Sequence, residues 1–173
     1  MLKYPIGKFE KPVEITPEIL EKWIGEIEEF PIKLQAEIDG LNEEQLDTVY
    51  RPGGWTLRQV VHHCADSHLN AFMRLKLTLT EDIPTIKPYE EALWAELPDG
   101  KLISPSVSIG ILTGIHIRWV YLVRSISKEN FNRKYIHPAD GQSVSLQEFL
   151  GMYAWHGNHH LAHIQNLKKR MNW

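Results

Sequence analysis

Apolar residues along this chain recur three and four positions apart, a period that predicts helices over most of its length. The helix starts carry the sharpest signals. Thr16-Pro17 reads as an N-cap followed by proline at the first helical position, opening a helix from about 17 to 39. Pro31 falls inside that span, where its missing N–H predicts a kink or a break. Asn42 caps a short turn over 43–47. Thr56 and Gln59 form a T-x-x-Q capping box, and its helix runs to about 81. Ser104-Pro105 repeats the cap-plus-proline signal for a helix to about 126. Ser145 and Glu148 form another capping box, for a last helix to about 171.

Between the second and third long helices lies EDIPTIKPYEEALWAELPDGKLISP, whose four prolines require a long connection, with one helical turn near 89–96. No convincing run of strands stands out, and YIHPADGQSVS reads as a small hairpin or a plain loop. Four long helices with one long crossover loop make an all-α four-helix bundle, a single domain over residues 1–173. Bundles of this kind place metal and cofactor sites in the core, on facing helices.

Composition narrows the function. The chain has 173 residues, 43% apolar and 24% charged, which is ordinary for a globular protein. The net charge is -3, with no basic tract or acidic tail, so nucleic acid and anionic membrane are not expected partners. The N-terminus MLKYPIGKFEKP carries charges and two prolines where a signal peptide needs an apolar run. No stretch is expected to reach the ~20 apolar residues that span a bilayer. Cys64 is the only cysteine, so no intrachain disulfide can form, and a reducing, cytoplasmic setting is expected.

The histidines change the picture most. Seven of nine sit in two short segments, VVHHCADSH and WHGNHHLAH. At 100° per residue, Phe149, Met152, Tyr153, His156, His159, His160, His163 and Leu167 share one face of the last helix. That stripe is apolar at both ends and imidazole in the middle. Buried imidazoles need partners, and a neutral ring offers only one donor and one acceptor. A divalent metal satisfies several at once. His156 and His160 have the i, i+4 spacing that stacks two rings on one face, as in H-E-x-x-H zinc helices. Gly157 stands where that motif has its catalytic Glu, which excludes the protease reading. On the 56–81 helix, Leu57, Val60, Val61, Cys64, His68 and Leu75 share the apolar face, while Gln59, His63, Ser67, Asn70 and Arg74 form a polar stripe. Phase therefore puts His68 in the core and His63 at its edge or outside it; the stripe is either solvated or lines a polar pocket. Cys64 reads as a small core residue rather than a ligand. Trp55, Trp119 and Trp155 read as packing groups. Arg58, Arg74 and Arg118 lie on the long helices, where one could meet a substrate carboxylate; surface residues with packed stems are the favoured reading.

GGWTLRQVVHHCADSH, followed far downstream by LGMYAWHGNHHLAHI, resembles the DinB/YfiT family of metal-binding four-helix proteins. YPIGKFEKP, KPYEEALWAELPD and the late HP resemble its YfiT branch in particular, whose members carry the label metal-dependent hydrolase. The resemblance covers essentially the whole chain. It implies an up-down-down-up bundle, a homodimer, and one divalent metal per subunit, zinc or nickel, on three histidines. The family's H-x-x-D segment matches His63 and Asp66, and its H-x-x-x-H pair matches His156 and His160. The resemblance thus selects His63 where helical phase favours His68. His159 and His163 become neighbours of the ligands; many relatives have glutamine at the position of His163.

Three histidine ligands leave a coordination position open, the mark of a catalytic metal. Hydrolysis of a small-molecule substrate by metal-activated water fits this site. So does thiol S-transfer, since relatives use low-molecular-weight thiols such as bacillithiol or mycothiol, and a metal turns a thiol into the nucleophilic thiolate. No carboxylate lies inside the two histidine motifs as Glu does in H-E-x-x-H. Asp66 or Glu148 could act as base, with Asp66 equally placed to orient an imidazole. Tyr153, one turn before the ligand pair, could donate to a substrate. A third reading is a non-catalytic protein that a metal only stabilises.

Overall fold

The computed structural model describes residues 2–139 and 141–173. In chain order the elements are α1 (Pro17–Ile38), α2 (Glu43–Leu46), α3 (Leu57–Thr80), α4 (Glu91–Trp94), α5 (Pro98–Leu102), α6 (Pro105–Ser125), a 3-10 turn (Lys128–Asn132), β1 (Lys134–His137), β2 (Gln142–Ser145) and α7 (Leu146–Met171). The expected caps are in place. Thr16 accepts from Ile19 N–H, and the Thr56/Gln59 and Ser145/Glu148 boxes are both reciprocal. Each satisfies backbone groups that the helix itself cannot.

The expected break at Pro31 does not occur: α1 stays one helix through a buried Pro31. The proline leaves the carbonyl of Ile27 without its i+4 donor, and another helix supplies one. YIHPADGQSVS is a hairpin, with Lys134 opposite Ser145 and His137 opposite Gln142; Asp140 lies outside the described residues. The long connection is stitched to it. Ile136 N–H donates to Pro84 at 2.9 Å, and Ile86 N–H donates to Ile136 at 3.1 Å.

Side-chain pairs give the direction of each helix. Along α3 and α6, His62 meets Ser108 and His68 meets His116, so these two run parallel. Along α1 and α7, Trp23 lies against Gly151, Phe30 against Gly157 and Glu37 against Lys168, again parallel. Arg124 bonds Glu21 and Glu28 while His116 reaches Ile27, making α1 and α6 antiparallel. His63 meets His160 while Arg74 meets Tyr153, making α3 and α7 antiparallel. The four long helices therefore form an up-down-down-up bundle. Consecutive α3 and α6 point the same way, so the chain must travel the bundle's length between them. The four-proline connection does this.

The core has two apolar clusters at different heights. One contains Ile27, Leu75, Trp119, Phe149 and Leu150; the other contains Leu34, Leu57, Val61, Leu112 and Ile164. Cys64 is buried in the second, and burial pushes its thiol pKa up, as expected of a core residue. In each long helix, the residues between its contributions to the two clusters fall at mid-height. His68, His116, His156, His159 and His160 occupy that level. Met152 departs from the expected stripe and is exposed. Arg58 also departs from expectation. It is buried, pairs with Asp47 and Glu43, and donates to the Ile103 carbonyl. By length and composition α6 is apolar enough to cross a membrane, which corrects the expectation of no such stretch. Part of that apolar surface is the face packed against α1 and α3.

Candidate metal centre

His63 from α3 meets His156 and His160 from α7, their ligand nitrogens all within 4.8 Å of one another. The Nε2 atoms of His63 and His156 are 3.2 Å apart. Two nitrogens bound at about 2.1 Å to one tetrahedral ion lie about 3.4 Å apart, so this is the edge length of a metal's ligand set. Burial drives all three rings away from the charged form, and neighbouring imidazoles add to it. His63 falls to about 4, and His156 and His160 well below the ordinary 6.5. At neutral pH the cluster is three neutral rings with nitrogen lone pairs crowded around one point. That donor set suits a divalent cation.

Local sequence explains the placement. The α3 stripe left undecided by periodicity faces inward: Gln59, His63 and Ser67 are buried, and Gln59 Nε2 donates to Ala95 O at 2.7 Å. Trp55, just before the α3 cap, covers the His63 ring at 4.6 Å. His63 is buried and lies in the triad, against the edge-or-outside position that helical phase gives it, and His68 is fully buried directly behind it. His68 Nε2 lies 3.1 Å from His156 Nδ1, its Nδ1 lies 2.7 Å from His116 Nε2, and His116 Nδ1 lies 2.5 Å from Ile27 O. His116 carries no motif in the sequence. Its only mark is a polar residue on the apolar face of α6, between Leu112 and Trp119.

The remaining histidines have other jobs. His163 donates Nε2–H to the Lys3 carbonyl at 3.3 Å and presents Nδ1 to His160 Nδ1 at 3.4 Å, while Tyr50 stacks on its ring at 4.0 Å. His159 stacks on Trp155 at 4.6 Å, and its buried Nδ1 has no hydrogen-bond partner among the described residues. His62 ties α3 to α6, donating to the Ile103 carbonyl at 3.0 Å and meeting Ser108 Oγ at 2.7 Å. The N-terminal arm crosses this stretch of α7, where Trp155 Nε1 donates to Gly7 O at 3.2 Å.

Tyr153 is buried beside His68 and His156, and its hydroxyl accepts from Arg74 at 3.3 Å. Among the described residues, no hydrogen bond or ion pair joins the Asp66 carboxyl to the triad. That carboxyl lines a cavity of about 420 Å³ with Asn70, Arg74, Tyr89 and Trp94, and burial, then Asp99, raises it to about 6. Glu148 is occupied by its capping box and by Lys11, which takes it out of the running as a base.

The DinB superfamily profile matches residues 26–164. Similar proteins include "Putative metal-dependent hydrolase YfiT" of Bacillus subtilis (strain 168), 46% identical over 99% of this chain and 97% of that one. A protein of Bacillus cereus (strain 03BB102) named "Putative metal-dependent hydrolase" is 52% identical over 99% of this chain and 98% of its own length. The solved structure of Bacillus subtilis YfiT, described as an unusual four-helix bundle topology, superposes with a TM-score of 0.97 at 46% identity, covering 99% and 98% of the two chains. The chain belongs to the DinB superfamily, and its relatives at this level of identity are YfiT-like.

Proposed function

We propose that this protein is a metal-dependent hydrolase of a small-molecule substrate, with one divalent ion, zinc or nickel, held by His63, His156 and His160. The observation that carries the reading is the convergence of three neutral imidazoles, two buried and one half-buried, with ligand nitrogens within 4.8 Å. A divalent ion on three imidazoles keeps a coordination position open and, when bound, supplies Lewis acidity and a hydroxide nucleophile near neutral pH. The chain's own groups do the rest. Trp55 and Tyr153 shield the rings from bulk water. Arg74, anchored on Tyr153 and on the Lys87 carbonyl, offers a cationic wall to the cavity that Asp66 lines. Asp66, poised at about 6, can hold or release a proton in that cavity near neutral pH.

A second reading, S-transfer from a low-molecular-weight thiol such as bacillithiol, is favoured by one feature. Among the described residues, the hydrogen bonds and ring contacts of the three ligands go to other imidazoles and to aromatic rings, with no carboxylate touching them. A nucleophile delivered on a cosubstrate needs no base there. The homodimer implied by the resemblance belongs to the same reading; exposed Ile32, Ile117 and Tyr121 beside an open groove between α1 and α6 support it, and the mass in solution tests it.

The test is elemental analysis of the wild type beside His63→Ala, His156→Ala and His160→Ala. The same samples are assayed for ester and amide hydrolysis and for thiol conjugation. One metal per chain, lost in each variant with helicity retained, is the expected result. A wild type without metal refutes both enzymatic readings, and loss of helical circular dichroism in chelator would make the metal structural.

A further inference from the structure

We propose that Pro31 and His116, both outside the ligand set, fix the protonation pattern of His156 so that its Nε2 is always the bare, metal-binding nitrogen. The inference rests on the metal reading above and adds residues to it.

The argument starts from a backbone atom. A carbonyl oxygen can only accept a hydrogen bond. Inside α1 the Ile27 carbonyl would normally accept from residue 31, but Pro31 has no N–H. His116 Nδ1 lies 2.5 Å from this oxygen, so Nδ1 carries the proton and donates. A neutral ring protonated at Nδ1 has a lone pair at Nε2. Facing that lone pair at 2.7 Å is His68 Nδ1, which must donate in turn. His68 Nε2 is then the acceptor, 3.1 Å from His156 Nδ1, which must carry a proton. The one nitrogen left bare is His156 Nε2, the atom 3.2 Å from His63 Nε2.

A file of rings like this has two polarities. In the other one every proton sits on the opposite nitrogen, and His156 would point an N–H into the centre. Within the file nothing distinguishes the two. The Ile27 carbonyl does, because the reversed file would set a lone pair against its oxygen. His68 and His116 are 0% and 2% exposed, so water does not substitute for either bond. Phe30 lies against both rings, at 5.0 and 5.7 Å, and holds them in line. The pair on the other ligand has the same form over longer distances: the Lys3 carbonyl takes the His163 Nε2 proton, His163 Nδ1 accepts from His160 Nδ1, and His160 Nε2 is left bare.

The experiment uses chelator-stripped, full-length protein with ¹⁵N-labelled histidine. Long-range proton–nitrogen correlation spectra at pH 7.5 show which ring nitrogen carries each proton. The expected pattern is Nδ1–H at His116, His68 and His156. Zinc affinity is then measured against a competing chelator for wild type, His116→Phe, His116→Gln and Pro31→Ala. His116→Phe should free His68 and His156 to mix tautomers and raise the zinc dissociation constant about 10–100-fold. His116→Gln, which restores an acceptor for His68, should recover part of that loss. Pro31→Ala removes a helix-breaking residue and should fold. Its N–H competes for Ile27 O, so it should mix the His156 tautomers and weaken zinc by a smaller factor. A wild-type spectrum with Nε2–H at His68 or His156 overturns the proposal, as does an unchanged zinc dissociation constant in a folded His116→Phe. If His116→Phe does not fold, the wild-type spectrum and Pro31→Ala decide. Wild type that takes up no zinc would instead refute the metal reading, with the tautomer pattern still deciding the file.

Discussion

Burying so many imidazoles makes the metal-free protein sensitive to acid. His63 and His116 are each held at about 4 by burial, against an ordinary 6.5. In the unfolded chain both would take up protons as pH falls below 6.5; in the folded chain they would not until about 4. Between those values the unfolded state binds more protons, so stability falls with pH. At pH 5.5 each such ring costs about 1.4 kcal/mol relative to pH 7.5, or about 3 kcal/mol for the two. His68, His156, His160 and His163 shift the same way. Asp66, raised to about 6, acts in the opposite sense. It is half-buried, and after solvent screening its offset is under ~1 kcal/mol. A net loss of at least about 2 kcal/mol is a large share of the ~5–15 kcal/mol of a typical domain. The assay is urea unfolding of chelator-treated protein at pH 7.5 and 5.5, followed by circular dichroism. Equal stability at the two pH values would refute the claim that these rings are buried and neutral.

Two further outcomes follow from packing. At Gly157 a Cβ would sit 2.9 Å from the Phe30 ring. Gly157→Ala should therefore cost about 1–3 kcal/mol by overpacking, despite alanine's better helix propensity, read as a lower urea midpoint. Tyr153→Phe removes the hydroxyl that accepts from Arg74 and keeps the ring against His156. Turnover should fall with metal content unchanged; loss of metal would make the tyrosine structural.

Most of the framework was legible in the sequence because caps are local. Thr16, Thr56, Ser104 and Ser145 each announce a helix within a few residues. The His156/His160 pair was legible for the same reason, being one turn apart on a single helix. His63 needed the resemblance. Its stripe on α3 is polar, and only the fold shows that the four-proline connection and α7 cover it. The role of His116 and the purpose of Pro31 were out of reach, since Ile27 and His116 are 89 positions apart. A proline in a helix reads as damage until the orphaned carbonyl's new donor is seen. Arg58 misled for a similar reason. Its partners Asp47 and Glu43 belong to the neighbouring α2 segment, and only the fold shows that they and the Ile103 carbonyl enclose it.

The up-down-down-up order has a consequence during synthesis. His63 and His156 are 93 positions apart, and Lys3 and His163 are 160 apart. A chain leaving the ribosome N-terminus first therefore carries its first ligand long before the other two exist. The metal cannot act as an early template. By the end of α6, however, Ile27, His68 and His116 have all been made, and in the finished fold α6 packs against both α1 and α3. The ring file can line up on its carbonyl in this unfinished chain and wait. When α7 arrives, His156 docks against neighbours whose proton arrangement is already set. The first segment made, the arm bearing Lys3, is among the last to be fixed in place.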